Sequence, residues 1–307
     1  MSKQIRVGLV GLGGIAQKAY LPILTKETDW ELVGAFTPNA EKRERICAQY
    51  RIESYSSLEK LSQVCDAIFV HSSTDSHFEI VSYLLSNGID VYVDKPLAGT
   101  IEEAERLMEL SEKKQRKLMV GFNRRFAPMY SRVKELAGSF DCIQIEKHRF
   151  SNVGPQDFAT TMLDDYLHLV DTIRWFATDK IMIANSFTKV NSDKQLVFAN
   201  HGFETKDSVL HTSMHRQAGS NLEKLEVLTN GSIIRVENMN KLEIEENQFI
   251  TTTTPGSWEQ ILKTRGFVDC VEHFITCVKN DLEPASNGYE ALQSQILLQE
   301  LIDNVKS

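Results

Sequence analysis

Two stretches of the sequence carry residue types that could act on a small molecule. The first is Asp94-Lys95-Pro96, which follows residues 89–93, a short apolar run that predicts a buried strand. Ligands of open α/β sheets bind beyond the carboxyl ends of the strands, so a lysine here lies where chemistry takes place. Its charge can stabilise an oxygen that becomes negative. The alternative is an ordinary solvated loop lysine, because most lysines are exposed.

The second stretch contains Asp164, His168 and Asp171, spaced four and three residues apart in a segment, residues 157–177, that predicts a helix. On an α-helix this spacing places all three side chains on one face. A histidine with a carboxylate one turn away is held in one tautomer and stabilised when protonated, which suits a general acid or base. The alternative is an exposed helix with charge pairs, or a buried histidine whose hydrogen bonds are satisfied.

A glycine-rich turn near the start of the chain predicts a nucleotide site. Residues 5–10 predict a strand, and the helix that follows the turn runs on to Leu24. In Gly11-x-Gly13-x-x-Ala16, the first glycine permits a tight turn, the second lets the backbone approach a pyrophosphate, and the alanine lets the helix lie close to the strand. The amino end of the helix faces the anion. We predict dinucleotide binding by Gly11, Gly13, Gly14, Ile15 and Ala16; a tight turn without a ligand is the alternative.

The end of the second predicted strand bears on the choice of dinucleotide. An NAD-preferring site usually places Asp or Glu there for the ribose hydroxyls, and Thr37-Pro38-Asn39 contains neither. Thr37 could instead accept a phosphate, with Lys42 or Arg43 supplying charge from the next helix. Those two residues could equally form a solvated helix face. The sequence therefore favours NADP over NAD.

Hydroxyl side chains follow the third strand, predicted over residues 66–70. Ser72, Ser73 and Thr74, together with His77, suit contacts to a ribose or a phosphate. Capping of the next helix, predicted over residues 78–85, is an alternative role for Thr74 or Asp75.

Composition narrows the class of protein. A chain of 307 residues is too long for one ordinary core and indicates two domains. A net charge of -8 with interspersed signs argues against nucleic-acid binding. No run of the sequence resembles a signal peptide or a membrane span. Five scattered cysteines without a Cys-x-x-Cys pair indicate reduced thiols and a cytoplasmic location. His211 and His215 have metal-like spacing but no nearby acid, so we predict no metal site.

The order of elements predicts an α/β fold of two parts. Up to Gly121, strands and helices alternate in units of about thirty residues, which indicates a Rossmann-type, doubly wound parallel sheet. Beyond it, alternating runs predict a C-terminal α+β domain with a large, mainly antiparallel open sheet. We place the domains at residues 1–122 and 123–307. Strands of the second part are predicted at residues 143–150, 181–190, 196–203, 208–214, 222–228 and 232–236, and closing helices at residues 257–279 and 289–305.

Taken together, these motifs resemble the Gfo/Idh/MocA family of oxidoreductases over essentially the whole chain, and in particular its MviM-like branch. The resemblance rests on Gly11-x-Gly13-x-x-Ala16, Ser72-Ser73-Thr74, Asp94-Lys95-Pro96 and Asp164-x-x-x-His168-x-x-Asp171, in that order. The family usually has Glu-Lys-Pro where Asp94 stands and Thr-Pro-Asn where Ser72 begins. It usually has glycine at the position of Tyr166. The tyrosine of this chain would put an aromatic ring beside the substrate.

The resemblance implies hydride transfer between NAD or NADP and a sugar, a polyol or a related carbonyl compound. It implies that Lys95 contacts the reacting oxygen, that His168 transfers its proton and that Asp164 orients the histidine. It further implies that Asp94, Lys95, Pro96, Asn123 and Arg124 line the cofactor site, and that the second domain's sheet forms a homo-oligomer. A silent sensor that binds a dinucleotide on the same fold is the alternative; the presence of both Lys95 and His168 favours an enzyme.

Overall fold

The computed structural model describes residues 4–26, 29–177 and 179–305, which form two compact units. The first unit contains the chain up to Phe122 together with Phe267–Gln293, and the second contains Asn123–Gly266 together with the chain from Ser294 onward. The first unit is therefore discontinuous, whereas a single division after residue 122 is expected from the sequence.

Aromatic packing explains why the late segment belongs to the first unit. The ring of Phe274 lies 5.3 Å from that of Phe69 and 5.6 Å from that of Tyr92. The thiol of Cys270 hydrogen-bonds to the hydroxyl of Tyr92 at 3.2 Å. These contacts join residues 178 to 205 positions apart, so a pattern read locally along the sequence does not reveal them.

The strands form two sheets. Their bounds are β1 Ile5–Val10, β2 Trp30–Phe36, β3 Glu53–Ser54, β4 Ala67–Val70, β5 Asp90–Val93, β6 Leu118–Val120, β7 Cys142–His148, β8 Met182–Val190, β9 Leu196–Glu204, β10 Val209–His215, β11 Leu222–Thr229, β12 Ser232–Glu237, β13 Lys241–Glu246 and β14 Phe249–Thr253. The first sheet has the order β3-β2-β1-β4-β5-β6, and the second has the order β14-β13-β12-β11-β7-β10-β9-β8.

The α-helices are α1 Leu21–Leu24, α2 Ala40–Tyr50, α3 Leu58–Ser62, α4 His77–Ser86, α5 Ile101–Lys114, α6 Pro128–Ala137, α7 Phe158–Thr161, α8 Leu167–Phe176, α9 Ile261–Thr264, α10 Phe267–Asn280 and α11 Gly288–Asp303. Two π-helical segments, Ala16–Tyr20 and Met162–Tyr166, directly precede α1 and α8. Short 3₁₀ turns lie at Thr74–Ser76 and Asn123–Phe126.

The first sheet is parallel throughout its pairings, as the sequence predicts. Strands β4 and β5 are buried along their whole length, because helices cover both faces of such a sheet. The carboxyl ends of β1, β4 and β5 are therefore neighbours on one edge of this unit.

The second sheet is antiparallel except for the pairing of β7 with β10. Along β7, Ile143, Ile145 and Lys147 are buried while the intervening side chains are partly exposed. Helices α6 and α8 contact the sheet from the buried side. The opposite face carries Phe187, whose side chain is 57% exposed.

Three details differ from the expected elements. Strands β13 and β14 extend the second sheet beyond the last strand predicted. The closing helix predicted from residue 257 begins later and is broken between α9 and α10. Gly266 has a φ of +77°, and a Cβ there would lie 2.2 Å from the carbonyl of Asn123, so only glycine allows this break. The helix expected over residues 157–177 contains the π-helical segment instead of uniform α-helix.

Candidate active site

The glycine turn after β1 has the shape that a dinucleotide requires. Gly11 has a φ of +89°, and a Cβ there would lie within 2.6 Å of the backbone of His71 and Ser72. A Cβ on Gly13 would meet only the His71 carbonyl, at 3.9 Å, and one on Gly14 would meet nothing. Ile15 is 39% exposed at the start of the helix. The turn therefore leaves an open surface for a pyrophosphate, and the predicted residues fit the cofactor.

The π-helical segment that follows the turn anchors it to the core. Tyr20, at the end of this segment, is fully buried. Its hydroxyl lies 2.8 Å from the hydroxyl of Tyr92 on β5, and its ring stacks on His71 at 3.7 Å. Burial lowers the pKa of His71 to about 3, so this imidazole is neutral at physiological pH. Single π-helical turns are frequent at functional sites because they re-aim side chains.

His77 joins the exits of β4 and β5. Its Nδ1 lies 2.9 Å from the carbonyl of Pro96, and its Nε2 lies 3.2 Å from the carbonyl of Ser72. Burial lowers the pKa of His77, and a neutral ring carries a proton on only one nitrogen. The shorter contact places that proton on Nδ1. His77 thus fixes the loops that hold Ser72 and Lys95, since both ring nitrogens face backbone oxygens.

Of the other residues after β4, neither Thr74 nor Asp75 caps the helix that follows. Thr74 and Asp75 lie inside the short 3₁₀ turn, and neither helix start here has a side-chain cap among the described residues. Instead, the hydroxyl of Ser76 donates to the carbonyl of Ser73 at 2.7 Å. The Ser72 hydroxyl is buried and has no hydrogen-bond partner within the described part of the chain.

Asp94 and Lys95 emerge from the carboxyl end of β5 and are half-buried. The backbone N–H of Lys95 donates to the Asp94 carboxylate at 2.9 Å, and the Lys95–Pro96 peptide bond is cis. Thr100 accepts from the N–H of Glu103 at 3.2 Å and caps α5. Lys95 is thus held at the edge of the first sheet that also carries the glycine turn.

The loop after β2 contains no carboxylate within Thr37-Pro38-Asn39. Asn39 caps α2 through the N–H of Lys42 at 2.8 Å. Arg43 is buried, and its guanidinium donates to the Thr37 carbonyl at 3.0 Å and to the Ser54 hydroxyl at 3.1 Å. Arg43 is therefore a brace for this loop and not part of a solvated helix face.

In the second unit, His168 lies in the first turn of α8 and is 8% exposed. Asp157 starts the helical segment by accepting from the N–H of Thr160 at 2.9 Å. Asp164 lies in the π-helical part and is exposed, whereas Asp165 beside it is buried. The wider π-helical turn changes the angular spacing on which a shared α-helical face depends.

Asp171 does not serve as a second orienting carboxylate for His168. Both of its oxygens accept from the guanidinium of Arg125, at 2.7 and 2.9 Å, and it also accepts from the Ser294 hydroxyl at 2.8 Å. The pair is buried. This part of the histidine motif therefore stabilises the second unit, and Asp164 is left as the candidate orienting carboxylate.

Tyr166 does not expose its ring as a neighbour of a substrate would. The side chain is fully buried, and its hydroxyl bonds to the hydroxyl and the carbonyl of Thr212 at 2.7 and 3.1 Å. The edge of the ring packs against His201, with the centroids 5.3 Å apart. The tyrosine that replaces glycine thus fastens the helix to β9 and β10.

Asn123 and Arg124 begin the second unit and are both buried. The Asn123 amide donates to the carbonyl of Arg265 at 2.8 Å. The guanidinium of Arg124 forms two hydrogen bonds to Glu223, at 2.7 and 2.8 Å. Arg124 is thus held by an ion pair inside the second unit, because a buried guanidinium requires a counter-charge.

Sequence reasoning missed a group of buried charges around Asp165. This carboxylate forms ion pairs with Lys147, Arg149 and Arg216. The adjacent acids Asp164-Asp165 and the basic run at the end of β7 were the available signals. Neither signal identifies which of two neighbouring carboxylates turns inward.

Among the described residues, no group of three or more histidine, cysteine and acidic side chains has the geometry to hold a metal ion. The part of the chain that the structure covers also has no helix long and apolar enough to cross a membrane.

Two family models match the chain. Residues 5–122 match the NAD-binding Rossmann fold of an oxidoreductase family, and residues 128–247 match the YceM-like C-terminal domain.

Similar proteins extend these matches to nearly the full length. YceM of Salmonella typhimurium, a proposed oxidoreductase, is 44% identical over 97% of each chain. An inositol 2-dehydrogenase of Rhizobium meliloti is 22% identical over 98% of this chain and 97% of its own. The crystal structure of a dehydrogenase, MviM, from Clostridium difficile has a TM-score of 0.97 at 48% identity and covers 99% of this chain and 100% of that one. With these similarities and the open glycine turn, the chain belongs to the Gfo/Idh/MocA family of oxidoreductases, in its YceM- and MviM-like branch.

Proposed function

We propose that the protein transfers a hydride between a nicotinamide dinucleotide and a hydroxyl-bearing or carbonyl carbon of a sugar-like small molecule. The nicotinamide ring supplies or accepts the hydride when the cofactor is bound. The protein's own residues then have to bind the reacting oxygen and move its proton. Family membership and the name of the inositol dehydrogenase relative support a polyol or sugar as the substrate class.

The observation that carries this proposal is the arrangement at one edge of the first sheet. The glycine turn follows β1, and Lys95 follows β5, with only β4 between these two strands. His77 fixes the loops after β4 and β5 to each other. A dinucleotide bound at the turn would therefore share this edge with a lysine whose backbone is held in place.

We assign complementary roles to the two candidate catalytic side chains. Oxidation of an alcohol releases a hydride from carbon and a proton from oxygen. The ammonium group of Lys95 would hydrogen-bond to that oxygen and stabilise its developing charge. His168 would take the proton as a general base, and Asp164 would orient the imidazole. In reduction of a carbonyl compound the same groups would act in the opposite direction.

We also propose that NADP binds at least as tightly as NAD. The loop after β2 has no carboxylate in Thr37-Pro38-Asn39 to bind ribose hydroxyls or repel a phosphate, and Lys42 stands beside it, half-exposed. The buried guanidinium of Arg43 donates a hydrogen bond to the Thr37 carbonyl and so supports this loop.

Kinetics of two alanine variants test the catalytic assignment. A panel of polyols and sugars is first screened with each dinucleotide by the absorbance of the reduced nicotinamide. Lys95→Ala should then lower kcat/KM by a hundredfold or more, because removing a donor to a developing oxyanion costs about 3 kcal/mol. His168→Ala should have a comparable effect and should remove the limb of the pH–rate profile that reports the histidine.

Two variants serve as controls, Lys113→Ala on an exposed face of α5 and His211→Ala on the open face of the second sheet. Both should turn over substrate like the wild type, and dinucleotide binding should persist in all four variants, because none of the four residues holds the pyrophosphate. Turnover retained by Lys95→Ala or His168→Ala would refute the assigned roles. A wild-type protein that binds dinucleotide and oxidises or reduces nothing in the panel would favour the sensor.

A further inference from the structure

The buried charges of the second unit form one connected group, which we name the cationic cluster. Its members come from the start of the unit, the end of β7, the π-helical segment, the end of β10 and the start of β11, and they are Arg124, Lys147, Arg149, Asp165, Arg216 and Glu223. The carboxylate of Asp165 pairs with Lys147, with Arg149 at 3.1 Å and with Arg216 at 2.5 Å. Glu223 pairs with Arg124 at 2.7 Å.

The cationic cluster holds more positive than negative charge. Four basic side chains share two carboxylates, and all but Arg149 are buried. By contrast, the buried pair of Arg125 with Asp171 in the same unit has one charge of each sign. Charge without a counter-ion is costly in a buried environment, so the surplus in the cluster would be compensated by an anion.

Titration behaviour agrees with that surplus. Burial, then the neighbouring charge of Arg124, lowers the pKa of Lys147 to about 8, despite the opposing effects of Asp165 and Glu223. Burial tends to raise the pKa of Asp165, but Lys147 and Arg149 hold it well below its usual value, so this carboxylate is ionised. At neutral pH the surplus is therefore positive, because Lys147 is still mostly protonated.

Two of the guanidinium groups keep hydrogen-bond donors available. Arg149 bonds to Asp165 through Nε and Nη2, and its side chain is 35% exposed. Arg216 donates from Nε to the carbonyl of Asn152 at 2.7 Å and from Nη1 to Asp165. Within the described residues, Nη1 of Arg149 and Nη2 of Arg216 have no acceptor. A guanidinium presents five donors and suits the planar or tetrahedral oxygens of a carboxylate or phosphate.

The cluster also lies next to the candidate base. Asp165 precedes His168 by three residues, which is about one turn of the helical segment. A group bound by Arg149 would thus be recognised close to the residue to which we assign the proton transfer.

We propose that Arg149 and Arg216, with Lys147 behind them, bind an anionic group of the substrate, so that the substrate is a sugar acid or a sugar phosphate and not a neutral polyol. This inference rests on the proposed function where it treats the bound anion as part of a substrate. The anion site itself is a property of the second unit. Carboxylate and phosphate share the required chemistry, and the experiment separates them.

Calorimetry with matched ligands tests the anion site. The protein is saturated with NADPH and titrated with gluconate, with glucose 6-phosphate and with the neutral compounds glucitol and glucose. Because KM values of enzymes extend to about 1 mM, each ligand is taken to about 10 mM. At least one acid should bind tenfold or more tightly than its neutral counterpart. Tighter binding of gluconate assigns a carboxylate, and tighter binding of glucose 6-phosphate assigns a phosphate.

The variant Arg149→Gln should abolish that preference. Its affinity for the acid should fall about tenfold or more, and its affinity for the neutral compound should not change. Arg235→Gln is the matched control, since Arg235 lies on the same sheet and pairs with Glu226 and Glu245; it should retain the preference. Circular dichroism is used to check that both variants fold. If Arg149→Gln does not fold, Arg149→Lys serves as a milder change. Equal binding of acid and neutral compound, no binding of either acid, or equal loss in the control would overturn the inference.

Turnover is read separately, so that the two proposals can fail independently. An acid that binds preferentially but is never oxidised would leave the anion site intact and refute the proposed function. A neutral polyol that is oxidised while the acids do not bind would do the opposite.

Discussion

Replacing Glu223 by glutamine tests whether the cationic cluster carries the surplus that we describe. Glutamine keeps the size and shape of glutamate, but it removes the charge and replaces one of the two oxygens that accept from Arg124 by an amide donor. Glu223 is the counter-ion of Arg124 and also accepts from the Tyr130 hydroxyl at 3.2 Å. Without it, only Asp165 would remain to balance the four basic residues. Glu223→Gln should therefore destabilise the second unit.

The expected size of the effect follows from the titration of the carboxylate. Burial alone would raise the pKa of Glu223, but Arg124, Lys147 and Tyr130 lower it from 4.5 to about 2. At 1.36 kcal/mol for each unit of pKa, this difference stabilises the folded protein by about 3 kcal/mol at neutral pH. Measured losses on breaking buried ion pairs are of the same order. We expect Glu223→Gln to lower the free energy of unfolding by about 3 kcal/mol at pH 7.

The sign of the pH dependence separates a charge effect from a packing effect. The pKa of Glu223 is lower in the folded protein than in the unfolded chain, so its contribution is complete above pH 4.5 and is lost as the pH falls towards 2. By about pH 3, roughly 2 kcal/mol of the contribution should be gone. The difference between wild type and variant should shrink accordingly.

Urea unfolding at pH 7, 5 and 3, followed by tryptophan fluorescence, measures this difference. Glu243→Gln is the control, because Glu243 pairs with Lys241 at 2.8 Å on β13, where both side chains are partly exposed. Its urea midpoint should match that of the wild type. Equal midpoints for wild type and Glu223→Gln at pH 7 would refute the reasoning. A difference of the same size at pH 3 and pH 7 would show that lost packing, and not lost charge, destabilises the variant.

Three further predictions concern the cofactor and the assembly. Gly13→Val should fold normally, since a Cβ there meets only the His71 carbonyl at 3.9 Å, and should bind neither dinucleotide by calorimetry; unchanged affinity would remove the turn from the site. The wild type should bind NADP at least as tightly as NAD, and tenfold tighter NAD, about 1.4 kcal/mol, would contradict our interpretation of the loop after β2. Light scattering at micromolar concentration should find an oligomer that Phe187→Glu weakens, because Phe187 is 57% exposed on the sheet face that helices leave open. A wild-type monomer would be inconsistent with that expectation.

The sequence determined those features that short-range chemistry decides. Alternation of apolar and polar residues predicts β7 to β12. An Asn-Gly pair, which is typical of a hairpin turn, lies at residues 230–231 between β11 and β12. The strand–glycine–helix pattern predicts the turn after β1. Glycine is required at position 11 because a Cβ there would collide with the backbone of His71. Thr100 caps α5 and Asn39 caps α2, and such caps are local because they join residues only three positions apart.

Tertiary structure decided which charged residues meet. Asp164 and Asp165 are equivalent in the sequence, yet the π-helical segment exposes the first and buries the second. The spacing of Asp171 and His168 predicts a shared helix face, but both carboxylate oxygens of Asp171 accept hydrogen bonds from Arg125. Asp165 and Arg216 are 51 positions apart and meet because α8, which directly follows the π-helical segment of Asp165, packs against β10, and Arg216 follows the end of β10. A side chain's partner in the fold is set by strand order and register, and a buried charge is stable only beside that partner, so no local pattern in the sequence can specify the cluster.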